Sequence, residues 1–339
     1  MLRVRLRGTA IAAAAVFIVA AGASAAQAAT VTVTGDDGNP VGIAQGTPTA
    51  IRNMSPVVGL AFPATPARFS ATVTGPDGAA VATSLSCFTT SSFTRYIDYR
   101  GNGNYTVTVT NYANADTSCR TPTSTETYVF TIGAGVGLAA PPGPFLIRNP
   151  NSFATNTLNL PVGLNPGTTS YEVRYAAGGV VGPDGAISGP SDQAFVSTTT
   201  GTAGLSFRTP GSYTVVARAS VGQYSTPWSA PIIVRAIAPF DLDTLRFPDA
   251  RGPSYQVRGA LRETSIRGRV SLAIARGKKG GKYRSLGSVK ISSKGTFTKR
   301  FRETRAGTYR IRVRYKGSST VASGTIVAQV RITRRVFFG

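Results

Sequence analysis

Histidine is absent from the whole chain of 339 residues. The commonest general base is therefore missing, and with it the usual partner of a serine or cysteine nucleophile. Carboxylate chemistry would have to come from pairs such as Asp36/Asp37 or Asp241/Asp243. Asp36 and Asp37 sit in the run Gly35-Asp36-Asp37-Gly38-Asn39-Pro40, where Asp serves local turn hydrogen bonding. Calcium at Asp36, Asp37 and Asn39 would need six or more oxygens, so the turn is the preferred reading. The run Gly277-Lys278-Lys279-Gly280-Gly281-Lys282 looks like a phosphate loop, but no Ser or Thr follows the lysine and two strands flank it. The two cysteines, Cys87 and Cys119, make a poor zinc site without histidine. In an exported chain they read as a disulfide, closing a loop of about 33 residues that contributes roughly 3–4 kcal/mol in the chain-entropy view. No catalytic residue, metal or cofactor is expected, and the chain reads as a non-enzyme.

One set of charged residues does form a pattern. Arg310, Arg312 and Arg314 alternate along a single run and Lys316 follows. On a strand, alternate residues share a face about 7 Å apart, so these cations form a row. Arg267 and Arg269 are expected on a second row, with Lys278, Lys279 and Lys282 in a basic turn nearby. Like charges this close repel unless a polyanion or scattered acids offset them.

The element that carries the row occurs three times. It reads Gly103-Asn104-Tyr105-Thr106-Val107, Gly211-Ser212-Tyr213-Thr214-Val215 and Gly307-Thr308-Tyr309-Arg310-Ile311. The tyrosines stand 108 residues apart (213 minus 105) and then 96 (309 minus 213), the spacing of a repeated sandwich-sized unit. Alternation predicts that Tyr105, Val107 and Val109 face inward, as do Tyr213, Val215 and Ala217, and Tyr309, Ile311 and Val313. The outward counterparts are Thr106, Thr108 and Thr110 in the first unit and Thr214, Val216 and Arg218 in the second. Sister strands thus do without the arginine row. Gly-Pro-Asp-Gly turns recur at Gly75–Gly78 and Gly182–Gly185. No long stretch repeats apolar residues every three or four, so short strands and turns are expected throughout.

Charge and targeting complete the picture. The net charge of +23 is concentrated: residues 237–339 hold 24 basic and 5 acidic residues, a net of +19. Residues 30–135 hold 5 and 6, and 136–236 hold 5 and 3. Such asymmetry speaks of partners and solubility. Arg3, Arg5 and Arg7, the apolar stretch Ala10 to Ala21 and Ala26-Gln27-Ala28 make residues 1–28 a secretory signal cleaved after Ala28. No second apolar stretch is long enough to span a bilayer, so no integral membrane segment is expected in the mature chain.

The second unit resembles a fibronectin type III domain. The resemblance rests on the aromatic strand Tyr171–Tyr175, on Leu205 ahead of the Tyr213 strand, and on Trp228-Ser229-Ala230-Pro231 before Ile232-Ile233-Val234. It covers about 65 residues and lacks the early core tryptophan of that family. The first and third units resemble bacterial immunoglobulin-like domains in the Gly-x-Tyr strand. What these resemblances imply is β-sandwiches. The expected architecture is all-β: a signal peptide at 1–28, a disulfide-bearing immunoglobulin-like sandwich at 29–135, a fibronectin-like one at 136–236 and a basic immunoglobulin-like one at 237–339. Linkers are expected at Gly133 to Pro144 and Ala236 to Pro239.

The expected role is a secreted or cell-surface binding or structural protein. Its basic third unit would contact an extracellular polyanion non-specifically: a cell-envelope polymer, an acidic polysaccharide or nucleic acid. A protein partner for the other units is also open. The rival expectation is a merely solvated basic surface on spacer or adhesion units, and a less favoured one is a carboxylate-dependent hydrolase.

Overall fold

In the computed structural model the described residues are 29–62, 67–82, 84–147, 156–247, 254–262, 266–277 and 281–332. The stretch 1–28 expected to be a signal sequence, Lys278, Lys279 and the last seven residues lie outside them. Every regular element among the described residues is a strand. The chain is all-β, built as three sandwiches in tandem.

In the first sandwich a four-stranded sheet runs in the order Pro40–Ile43, Thr30–Thr34, Val57–Ala61, Ser92–Tyr96. It packs on a five-stranded sheet in the order Thr49–Ile51, Pro122–Ile132, Gly103–Tyr112, Ala67–Thr74, Leu85–Thr90. Cys87 lies in the last of these strands and Cys119 in the connection before Pro122, and the two form a disulfide. In the second sandwich, strand Asp192–Ser197 passes from one layer to the other. Asp192 to Ala194 pair with Tyr175 to Val173, and Phe195 to Ser197 pair with Gly204 to Thr202. The third sandwich has a three-stranded sheet, Leu242–Arg246, Ser254–Leu261, Thr296–Arg302. Its other sheet has four strands in the order Arg284–Lys290, Arg269–Arg276, Gly307–Tyr315, Gly324–Ile332.

The tyrosine-led strands are the spine of each sandwich. Tyr105, Val107 and Val109 are fully buried, and so are Val215, Ala217, Ile311 and Val313, with Tyr213 and Tyr309 nearly so. Burying a Val or Ile side chain stabilises by roughly 1.5–3 kcal/mol, so this alternation locks the register. Each tyrosine hydroxyl donates to the carbonyl four residues upstream. The distances are 2.9 Å from Tyr105 to Gly101, 2.7 Å from Tyr213 to Thr209 and 2.7 Å from Tyr309 to Arg305. This is a tyrosine corner, which satisfies a buried phenol and pins the turn entering the strand. It explains why Gly-x-Tyr recurs.

The expected linkers carry structure of their own. Ala134 and Val136 are buried, and Gly137–Leu138 pairs with Gly163 and Val162. The apolar cores of the first two sandwiches merge through these residues and Met54, which is fully buried. Met54 N–H donates to Pro166 O at 2.9 Å, and Ser55 Oγ donates to Gly167 O at 2.9 Å. Beyond the second sandwich, strand Ile232–Ile237 leads straight to Ala238, which forms a parallel bridge with Val321. Ala236 to Pro239 is therefore strand and bridge, with Phe240 already buried in the third core. Gly- and Ala-rich composition signalled freedom, but small side chains are also what close backbone packing requires.

Candidate functional site

The face of the four-stranded sheet turned away from the third core collects the cations. Register places Arg310, Arg312 and Arg314 opposite Ala275, Ala273 and Ser271 on one side. On the other side they face Gln329, Val327 and Thr325. Small or uncharged neighbours thus flank the row along its length. Arg269 lies on the same face, opposite Lys290. Arg331, beyond Gln329, joins it from the last strand. Lys316 follows the strand directly and is exposed.

Tyr283 props this row. Its ring lies 4.3 Å from the Arg312 guanidinium carbon and 5.3 Å from that of Arg310. A cation over an aromatic face is held by the ring quadrupole, so these two long side chains are ordered against the sheet. Buried Arg310 Nε has no hydrogen-bond partner. No ion pair involves Arg310, Arg312 or Arg314 among the described residues. Two acids of the third unit are used elsewhere: Glu303 pairs with Arg284 at 3.1 Å, and Asp241 with Arg262 at 3.3 Å. At the end of the row, a depression of about 410 Å³ is lined by Arg314, Tyr315, Lys316, Ser323, Gly324 and Thr325. Guanidinium forks and hydroxyls are suited to bidentate capture of oxyanions.

Not every cation named from the sequence joins this face. Strand pairing begins at Arg269, and Gly268 before it has φ of 109°. That turn breaks the pleat, so the alternation does not carry back to Arg267, whose Nη1 donates to Ile266 O at 3.1 Å. Lys282 is exposed in the segment ahead of Arg284–Lys290. The basic run had pointed to lysines, whereas Tyr283, Lys290 and Arg331 came from the register. A Tyr beside a basic turn was the one sequence signal for the prop.

The corresponding face of the second sandwich is arranged differently. Thr214 and Val216 are buried although they point outward, because chain crosses over them. Thr214 Oγ1 donates to Gly179 O at 2.6 Å. Ser229 Oγ accepts from Ala217 N–H at 3.0 Å, bringing Trp228 over the sheet. Trp228 lies 4.5 Å from the Arg218 guanidinium carbon and 5.4 Å from that of Arg174. Both arginines pair with Glu172, at 2.6 Å and 2.5 Å. Burial opposes ionisation of Glu172, but the hydrogen bonds from Arg218 and Arg174 outweigh it and hold this carboxyl below its usual value of 4.5. Here the arginines are neutralised. Among the described residues Arg310, Arg312 and Arg314 have no such partner.

A second concavity of about 390 Å³ lies between the first two sandwiches, bounded by Tyr96, Asp98, Arg100, Gln223 and Tyr224. Arg100 packs 5.7 Å from the Tyr224 ring and pairs with Asp77 at 3.5 Å. Buried Tyr99 beneath it has its phenol pushed up to about 12 by desolvation. No group of three or more Cys, Asp or Glu that could hold a metal gathers among the described residues. No helix among them is long and apolar enough to cross a membrane.

No family model and no curated protein matches the sequence. Among the solved structures similar to this chain are three distant ones. The FN1–FN3 domains of chicken CNTN1 match at 11% identity, over 84% of this chain and 99% of that one, with a TM-score of 0.22. The chicken interferon gamma receptor alpha chain matches at 11% identity, over 58% and 96%, with a TM-score of 0.32. A tetra-tandem repeat from the extending region of a large adhesion protein matches at 13% identity, over 90% and 91%, with a TM-score of 0.33. Likenesses this distant assign no role to any residue here.

Proposed function

We propose that this chain is a non-enzymatic binding or structural protein of the cell exterior, exported by its first 28 residues. The three units, divided near residues 135 and 236, are read as a stiff mount of two sandwiches and a basic contact unit. The third unit holds an extracellular polyanion through Arg310, Arg312 and Arg314, aided by Arg269 and Lys316. One observation carries this reading: among the described residues the row has no carboxylate partner, while comparable arginines in the second unit have Glu172. Repulsion along an uncompensated row costs stability, and a polyanion converts that cost into affinity through counterion release. The rise of the strand suits a linear ligand with repeated anionic groups, such as an envelope phosphodiester polymer, acidic polysaccharide or single-stranded nucleic acid. Retention on immobilised heparin tests it. Arg310→Thr/Arg312→Thr/Arg314→Thr should elute at clearly lower salt, and unchanged elution would leave only a solvated basic surface.

A further inference from the structure

The last strand of the third sandwich leaves an unusual edge. Gly324–Ile332 pairs with Gly307–Tyr315 through nine consecutive positions without a bulge. It is the outermost strand of its sheet, so its other side carries unpaired backbone groups along its length among the described residues. Natural sheets blunt such edges with charges, bulges or a covering segment, because an open ladder recruits another strand.

The other edges of the same sandwich are blunted. Arg284–Lys290 has a bulge around Gly287 and a cation at each end. Thr296–Arg302 carries Lys299, Arg300 and Arg302. Leu242–Arg246 is broken by a register shift between Leu242 and Thr244. In the other sandwiches the last strand is partly covered by a short parallel strand: Thr49–Ile51 on Phe130 to Ile132, and Phe145–Leu146 on Ala236 and Ile237. Among the described residues the third unit has only the bridge from Ala238 to Val321, which precedes the strand. Gly324–Ile332 contains no proline and one charge, Arg331, near its far end. Val327 stands half exposed on its outer face.

We infer that Gly324–Ile332 is a docking edge for an extended acidic segment of a partner protein, which adds to the four-stranded sheet as a fifth strand. Backbone hydrogen bonds supply the attachment, as in other strand-addition complexes. Charge selects the occupant. An added strand lies about 10 Å from the arginine row, two strand spacings, a gap that Arg312 and a facing Glu side chain span together. Acids at alternate positions would face the row, while the intervening side chains meet the side of the core near Ile326 and Val330. A second copy of the chain is disfavoured by the same charge, since residues 237–339 carry a net +19 (24 minus 5).

The test uses the full chain and a fluorescent peptide of about nine residues, Glu alternating with Thr and Val. A counterpart N-methylated along both edges keeps every charge but cannot join a ladder. The parent should bind, slow amide exchange within Gly324–Ile332, and outbind the methylated peptide by about tenfold or more. Equal binding of both peptides would mean that the face reads charge alone and would overturn the inference. Absence of parent binding, protection at another strand, or self-association of the chain through this edge would overturn it too. The polyanion reading fails separately, on the salt response of the arginine variant.

Discussion

Replacing Arg310, Arg312 and Arg314 together by Thr, the residue type at the matching positions of the first sandwich, should separate folding from binding. Neighbours on the row stand about 7 Å apart, where two unit charges in water repel by roughly 0.6 kcal/mol before screening and less than half that at about 0.15 M salt. Two such pairs, plus the outer pair at about 13 Å, cost the free protein roughly 0.6 kcal/mol in total. Stacking of Arg310 and Arg312 on Tyr283 offsets this by about 0.5–1 kcal/mol each. The triple variant should therefore stay within about 1 kcal/mol of the parent in urea unfolding, because the two terms oppose each other. Binding should respond far more. Each phosphate contact contributes about 0.7–0.9 to the slope of log K against log salt, so three lost contacts flatten that slope by roughly 2–3. Between about 50 and 200 mM salt the parent should then lose roughly 20- to 40-fold more affinity for a labelled single-stranded oligonucleotide than the variant does. Anisotropy titrations at several salt concentrations measure this directly. An unchanged slope in a variant that still unfolds cooperatively would refute the assignment of the row.

Further outcomes follow from the packing. Tyr309→Phe removes the donor to Arg305 O, and an intact ring with an orphaned carbonyl should lose about 1–2 kcal/mol in urea unfolding; no loss would show that the corner is incidental. Glu172 has a carboxyl held below its usual value, so its contribution is fully present above about pH 4.5 and disappears as pH falls through the lowered folded value. Glu172→Gln should accordingly flatten the acid limb of stability against pH relative to the parent, and parallel curves would refute the pairing. Gly167→Ala attacks the joint between the first two sandwiches. Gly167 has φ of 74°, and an added Cβ would lie 2.5 Å from Ser55 N, so the joint must open. Small-angle scattering should then show a broader distribution of end-to-end distances, whereas an unchanged profile would mean that the contact does not hold the units.

Some of this was legible along the chain, and the reason is local. Alternation at Tyr105, Tyr213 and Tyr309 depends only on the two-residue period of a strand, so the inward set was readable and the structure buries it. Cys87 and Cys119 were readable as a pair because no other cysteine competes. Outward positions carried no such guarantee. Thr214 and Val216 point away from their core and are still buried, because Trp228 and the segment near Gly179 cross over them. Arg218 finds Glu172, 46 residues away, while Arg312 lies over the ring of Tyr283 and has no ion pair among the described residues. Whether a cation is neutralised, or whether a sheet edge is covered, depends on which distant segments fold over it. Local periodicity carries no information about that, and only the tertiary arrangement decided it.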